Sequence, residues 1–222
     1  MTKILTCSEL YELSTHPKIN TISLELLREY YATYLEPFKY EISLTGNDDG
    51  GNEISRTIDL RFDKDCFCHL VATKKIVKRS VRSNDLYKYF GSNGYDNIQN
   101  GMINFDLFKT MNRKLYDLNK SKFVFFYLIP LVMDNAKAVL FDGTKLQNSD
   151  VDCDIIFYDE INKKYIHLGV DYNEKKGYYR PVTFLVEKVT EANSGLKFIE
   201  NQNPLLVGQI HKVSAIGSVV GK

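Results

Sequence analysis

Tryptophan is absent from the 222 residues, and proline, cysteine and histidine are scarce, at five, four and four. No Pro/Ser/Gly-rich spacer and no repeat with a solenoid period interrupts the chain, so no linker marks a division into domains. The four cysteines, Cys7, Cys66, Cys68 and Cys153, form no CxxC pair. Their low density excludes a disulfide-stapled secreted scaffold and points to reduced, mostly packed thiols in a cytoplasm. A strong charge of one sign is also missing. The formal net charge of +1 excludes a protein that coats nucleic acid with its whole surface, so any RNA or DNA contact comes from a local patch. The longest apolar run, Phe123 to Met133, contains Pro130 and falls well short of the roughly 20 residues of a membrane helix. At the amino terminus, Ser8 and Glu9 arrive too soon for a signal-peptide core, so the expected location is cytoplasmic, away from membranes.

Hydrophobic residues make up 44% of the chain and charged residues 26%, enough to bury a full core without a metal or a disulfide. Thr21 to Leu35 has helix periodicity, with Ile22, Leu26 and Tyr30 four apart. Phe38 to Leu44 and Ile54 to Phe62 alternate with a period of two around the tip Gly46 to Asn52, which predicts a hairpin. Cys66 to Arg82, Asn84 to Phe90, Phe105 to Asn112 and Arg113 to Met133 carry three-and-four spacing, with a break around Gly91 to Gly94. Beyond Asp134 the period changes, and Ala136 to Phe141, Asp152 to Tyr158, Tyr165 to Val170, Tyr178 to Val186 and Leu205 to Val213 read as strands. Helices in the first two thirds, packed on a C-terminal antiparallel meander sheet, are the expected α+β arrangement. A single domain over 1–222 is expected, with an N-terminal helical segment at 1–37, a core at 38–190 and a C-terminal strand and tail at 191–222.

Chemistry concentrates in Asp65 to Lys75, followed by Lys78, Arg79 and Arg82. On one continuous helix Lys75, Lys78, Arg79 and Arg82 fall at i, i+3, i+4 and i+7, a basic stripe able to grip phosphates, or simply a solvated face. His69 is one of four histidines, with His16, His167 and His211, and imidazole is the side chain suited to proton transfer near neutral pH. Cys66-x-Cys68-His69 lacks the second ligand pair of a structural zinc site. No Walker loop, GxSxG elbow or HExxH motif is present, so no metal or other cofactor is expected. Asp150, Asp152 and Asp154 alternate and could face a cation or simply keep one strand face polar. Fifteen tyrosines and thirteen phenylalanines offer stacking faces, and the cluster Tyr178-Tyr179-Arg180 combines two rings with a cation.

Phe67-Cys68-His69-Leu70 with Lys75, then Asp152 to Tyr158, Tyr165 to Val170 and Tyr179 to Phe184, resembles the phage-associated barnase/EndoU/colicin/RelE-like (BECR-fold) nuclease domains, fourth phage-associated type. The likeness runs over roughly Tyr40 to Lys188. The family pattern has an aromatic residue, then His-Leu, then a Lys six positions after the His, which His69 and Lys75 match. Thr183-Phe184 stands where the family tends to have Ser before an aromatic, and Ala72 where it tends to have Gly. The resemblance implies a barnase/RelE-like fold and metal-independent RNA cleavage by 2′-hydroxyl transesterification. It implies His69, Lys75 and Thr183 as catalytic residues, with Lys74, Lys78, Arg79, Arg82, Tyr179 and Arg180 holding substrate. The implied role is a toxin or phage-conflict effector on tRNA or mRNA, with a protein antidote or host target as further partners. The alternative is a catalytically inactive RNA- or protein-binding module. Six residues of continuous helix rotate by about 600°, which places Lys75 about 120° around from His69. Either the helix ends between them or only one reaches the scissile phosphate.

Overall fold

The computed structural model describes residues 3–147 and 149–215. The chain alternates between two compact units. One takes the chain up to Thr33 together with Asp63–Pro130, and the other takes Tyr34–Phe62 together with the chain from Leu131 onward.

The first unit is helical. Helix α1 (Cys7–Tyr11) opens on a capping box, in which the Thr6 hydroxyl accepts the Glu9 N–H and the Glu9 carboxylate accepts the Thr6 N–H at 2.8 Å. Helix α2 (Leu24–Tyr34) buries Leu24, Leu26, Leu27, Tyr30 and Tyr31, the amphipathic face its spacing predicts. The buried Tyr30 and Tyr31 hydroxyls donate to the carbonyls of Tyr127 and Asp63, at 2.9 and 2.6 Å. Tyr31, Phe67, Tyr95 and Phe126 pack with ring centroids 5.3 to 6.4 Å apart. Aromatic burial of this kind contributes about 1.5–3 kcal/mol per side chain.

The long helix expected over Cys66 to Arg82 is instead two short ones, α3 (Phe67–Leu70) and α4 (Thr73–Val77). Ala72 between them is left-handed, at φ 56°, and its N–H closes a tight turn onto the His69 carbonyl. Lys78, Arg79 and Arg82 therefore follow α4 rather than continue it. At Gly91 to Gly94 the chain begins a helix, α5 (Gly91–Gln99), where a break was expected. Gly94 serves close packing. A Cβ there would sit 2.7 Å from the Tyr89 carbonyl carbon and 2.8 Å from Cys68 Sγ. Helix α6 (Phe105–Phe125) is interrupted at Asn112, whose side chain accepts the Leu115 N–H and so caps the second half from within. Helix α7 (Ile129–Asp134) carries the chain from this unit, up to Pro130, into the second.

The second unit is a closed seven-stranded barrel, which corrects the expected barnase/RelE-like packing of helices on a C-terminal antiparallel meander sheet. Its strands are β1 (Phe38–Asn47), β2 (Glu53–Arg61), β3 (Lys137–Leu140), β4 (Ile155–Glu160), β5 (Lys164–Asn173), β6 (Tyr178–Lys188) and β7 (Asn203–Ser214), in the order β1-β2-β6-β5-β4-β3-β7. Strands β3 to β6 do meander, but both edges of that meander are covered. Strand β7 pairs antiparallel with β3 and with β1, and β2 bridges β6 in parallel at Leu60 and Tyr179. Unpaired edge N–H and carbonyl groups are a liability, and closure limits it, by β7 along β3 and by the single β2–β6 bridge. Cross-strand register puts Tyr40 with Leu60, Ile42 with Ile58, Ile155 with Val170, Phe157 with Leu168 and Leu168 with Phe184, and all of these are buried. The opposite face carries a second cluster of Val139, Phe141, Cys153, Ile156, Phe198 and Ile199, the last two from the β6–β7 connection.

Candidate functional site

The turn at Ala72 decides what the helical unit presents. From Cys66 to Val77 nine residues are buried, and the three exposed ones are His69, Lys74 and Lys75. An imidazole and two ammonium groups thus stand out of an otherwise buried segment. Thr73 anchors it from within, its hydroxyl lying in hydrogen-bonding reach of the carbonyls of Cys68 and Tyr89. The 120° separation expected of one continuous helix no longer applies, because the chain turns between His69 and Lys75.

From Thr73 to Arg82 there are five cations and no acidic residue. Lys74, Lys75, Lys78, Arg79 and Arg82 are all exposed, and among the described residues none has a carboxylate partner within 4.0 Å. The cavity of about 450 Å³ in this unit differs in that respect. Its cations are neutralised, Lys109 by Asp106 and both Arg113 and Lys120 by Asp117, at 2.6 to 3.0 Å. The Lys74–Arg82 run gathers five cations without a carboxylate partner among the described residues, where others such as Lys18 and Lys114 stand singly.

Lys122 of α6 adds to it. Burial, and secondarily the charge of Lys75, push its ammonium down to about 8. Nothing in the sequence around Ser121-Lys122-Phe123 marks it, since the desolvation is tertiary. Asp63, Asp65 and Cys66 also gather in this unit, with one ligand atom from each within 4.8 Å of the others. Such groupings are common without an ion. The four cysteines are free thiols, and burial pushes Cys68 and Cys153 up to about 12.

The barrel holds the remaining predicted residues. Arg180 faces Asp171 across β5 and β6, and Thr183 faces Gly169 on the same side. Thr183 is packed there, because a Cβ on Gly169 would lie 2.5 Å from its Cγ2 and 2.9 Å from Cys153 Sγ. Asp171 stands above the usual carboxylate range. Burial is the main cause, followed by the charge and hydrogen bond of Asp154 and the charge of Asp152, with Arg180 opposing. Asp154 in turn accepts the Tyr172 N–H at 2.9 Å. Tyr179 is 7% exposed, its ring 5.3 Å from Tyr172 and 5.6 Å from the Arg56 guanidinium, so its faces are already engaged. Asp171 was not legible as a site residue, because the register that sets it against Arg180 depends on a bulge between Gly169 and Val170.

His167 is fully buried in the barrel's second cluster, edge-on to Phe198 at 5.6 Å and beside Tyr158 and Tyr165. Among the described residues neither ring nitrogen has a hydrogen-bond partner. Burial pushes it down to about 4, and the Leu185 backbone, outside hydrogen-bonding geometry, offsets part of this. His167 is a neutral core residue at pH 7. No helix among the described residues is long and apolar enough to cross a membrane. Comparison with models of protein families, with curated proteins and with solved structures finds no match.

Proposed function

We propose that this chain is a metal-independent endoribonuclease whose chemistry is carried by His69 among the cations of the helical unit. The observation behind it is that His69, Lys74 and Lys75 are the three exposed side chains of the buried Cys66–Val77 segment. In the proposed step the ribose 2′-oxygen attacks its neighbouring phosphorus as the bond from phosphorus to the 5′-oxygen breaks, leaving a 2′,3′-cyclic phosphate and a free 5′-hydroxyl. One group takes the 2′-hydroxyl proton and another returns one to the 5′-oxygen. His69 performs one of these transfers. Lys75, with Lys74 beside it, offsets the charge of the crowded phosphorane. The two-residue helix break supports this division of labour by leaving the His69 imidazole exposed on one side of an anchored turn and the Lys74 and Lys75 ammonium groups on the other.

Support also comes from the unpaired run Lys74 to Arg82, which is complementary to a polyphosphate backbone and has no internal acid to neutralise it. The proposal rests on these residues and their resemblance to the nuclease pattern, not on an open sheet, which the barrel replaces. In this reading the protein acts in the cytoplasm on tRNA or mRNA, as a toxin or phage-conflict effector held in check by a protein antidote. The same unpaired cations would serve an RNA-binding module that does not cut, so cleavage is the discriminating property. Purified protein is expected to cut RNA in EDTA and leave 2′,3′-cyclic ends, with His69→Ala and Lys75→Ala each lowering the rate at least about 100-fold. Salt-dependent binding with intact RNA would replace the enzyme by the binding module.

A further inference from the structure

A second set of residues beside the proposed nuclease segment has the composition of a stacking platform. The 3₁₀ helix Ser83–Tyr89 buries none of its side chains, and Phe90 follows it. Tyr87 and Phe90 are 50% and 40% exposed. Single exposed aromatics are ordinary on a protein surface. Here, however, each ring already carries a cation. Lys74 Nζ lies 4.9 Å from the Phe90 centroid, and Lys88 Nζ, ion-paired to Asp85 at 2.6 Å, lies 5.9 Å from that of Tyr87.

The backbone beneath the rings is fixed at several points. The Tyr89 carbonyl accepts from Thr73, the Lys88 carbonyl accepts from Asn97 Nδ2 at 2.9 Å, and Gly94 leaves no space for a side chain against Tyr89. A surface that spent this much local structure on holding two exposed rings in place is pre-organised for a flat ligand. The neighbouring cations say which kind. Lys74, Lys78, Arg79 and Arg82 are exposed, lack carboxylate partners among the described residues, and lie in a stretch without one acidic residue. Phe90 beside the unpaired Lys74, next to the Lys78–Arg82 cations, matches an unpaired base joined to phosphates, while Lys88 at Tyr87 is already neutralised by Asp85.

We propose that Phe90, with Lys74 at its ring and Tyr87 nearby, stacks an unpaired base of single-stranded RNA while the Lys74–Arg82 run holds the flanking phosphates. The choice of RNA rests on the ribonuclease reading above, which does not itself name Phe90 or Tyr87. Duplex bases offer no free face to such rings, so the platform selects single-stranded segments. Lys74 then has two tasks, at the ring and at the phosphate of the stacked nucleotide.

The test uses a 2′-O-methyl oligoribonucleotide carrying 2-aminopurine, which lacks the 2′-hydroxyl and stays intact whether or not the protein is a nuclease. Stacking is expected to quench the 2-aminopurine fluorescence on binding. Phe90→Ala is expected to abolish the quench and weaken binding about 5- to 150-fold, as one lost base–aromatic stack implies. Phe90→Trp is expected to keep both, which separates stacking from damage to the fold. Binding of the corresponding duplex should be weaker and unaffected by Phe90→Ala. Single-strand binding and quench unchanged in Phe90→Ala would overturn the platform, as would an equal loss for strand and duplex. Failure of the nuclease reading is seen separately, as uncut natural RNA in the presence of an intact quench. No binding of any oligonucleotide would overturn both and leave the surface to a protein partner.

Discussion

Replacing Lys122 by methionine removes a charge that the folded helical unit accommodates poorly. Burial and the neighbouring Lys75 lower its ammonium from an ordinary 10.5 to about 8. That difference corresponds to about 3 kcal/mol held against the folded state at pH 7, and solvent reaching the partly exposed side chain reduces it to about 1–3 kcal/mol. The pH dependence has a definite sign. Below pH 8 Lys122 is protonated folded and unfolded, and the full penalty applies. Between about 8 and 10.5 the folded state releases the proton first, so stability rises with pH, and above that range the penalty is gone. Methionine keeps the unbranched stem and drops the charge. In urea unfolding Lys122→Met should therefore exceed the wild type by about 1–3 kcal/mol at pH 7, and the gap should shrink by pH 9.5. Lys75→Met should reduce the gap at pH 7, since it removes the like charge. A Lys122→Met variant less stable than the wild type at both pH values would show that Lys122 has a stabilising partner and that its charge does not destabilise the fold.

Burial of His167 without a partner makes the opposite half of the pH range diagnostic for the barrel. Its protonation is pushed from 6.5 down to about 4, so unfolding stability should be complete above 6.5 and fall by about 3 kcal/mol as pH drops to 4. His167→Phe should flatten that slope, and an unchanged slope measured by urea titration would contradict it. For Asp171, a carboxyl NMR titration should show a midpoint above the usual carboxylate range, moved further up by Arg180→Met because the opposing guanidinium is removed. Ala72 holds a left-handed backbone, so Ala72→Gly should keep or raise stability by up to about 1 kcal/mol, whereas the β-branched Ala72→Val should lower Tm measurably.

Local patterns in the sequence carried the strands and the amphipathic helix, because alternation and three-and-four spacing report the faces that residues themselves bury. Phe38–Asn47 and Glu53–Arg61 are the predicted hairpin, extended by a few residues toward the tip. Closure was not legible. It depends on Leu60 reaching Tyr179 and on β7 pairing with β3, contacts between segments far apart in the chain that no local period encodes. The helix over Cys66 to Arg82 failed at Ala72, where apolar spacing continues smoothly through a turn. Gly91 to Gly94 misled in the other direction, since glycines read as breakers serve here to let α5 approach Tyr89 and Cys68.

The candidate site divides along the same line. His69, Lys75 and the basic run were visible as residue types, and their exposure follows from the buried residues around them. Lys122, Asp171 and Phe90 were not visible, since desolvation, strand register and the packing beneath a 3₁₀ turn gave them their character.

Incubating purified protein with total RNA in EDTA and mapping the ends decides whether the chain cuts RNA. Cleavage that yields 2′,3′-cyclic phosphate and 5′-hydroxyl ends, and that is lost in His69→Ala, is the predicted result. Intact RNA with the wild type, or cleavage unchanged in the His69→Ala, Lys75→Ala double variant, would contradict it.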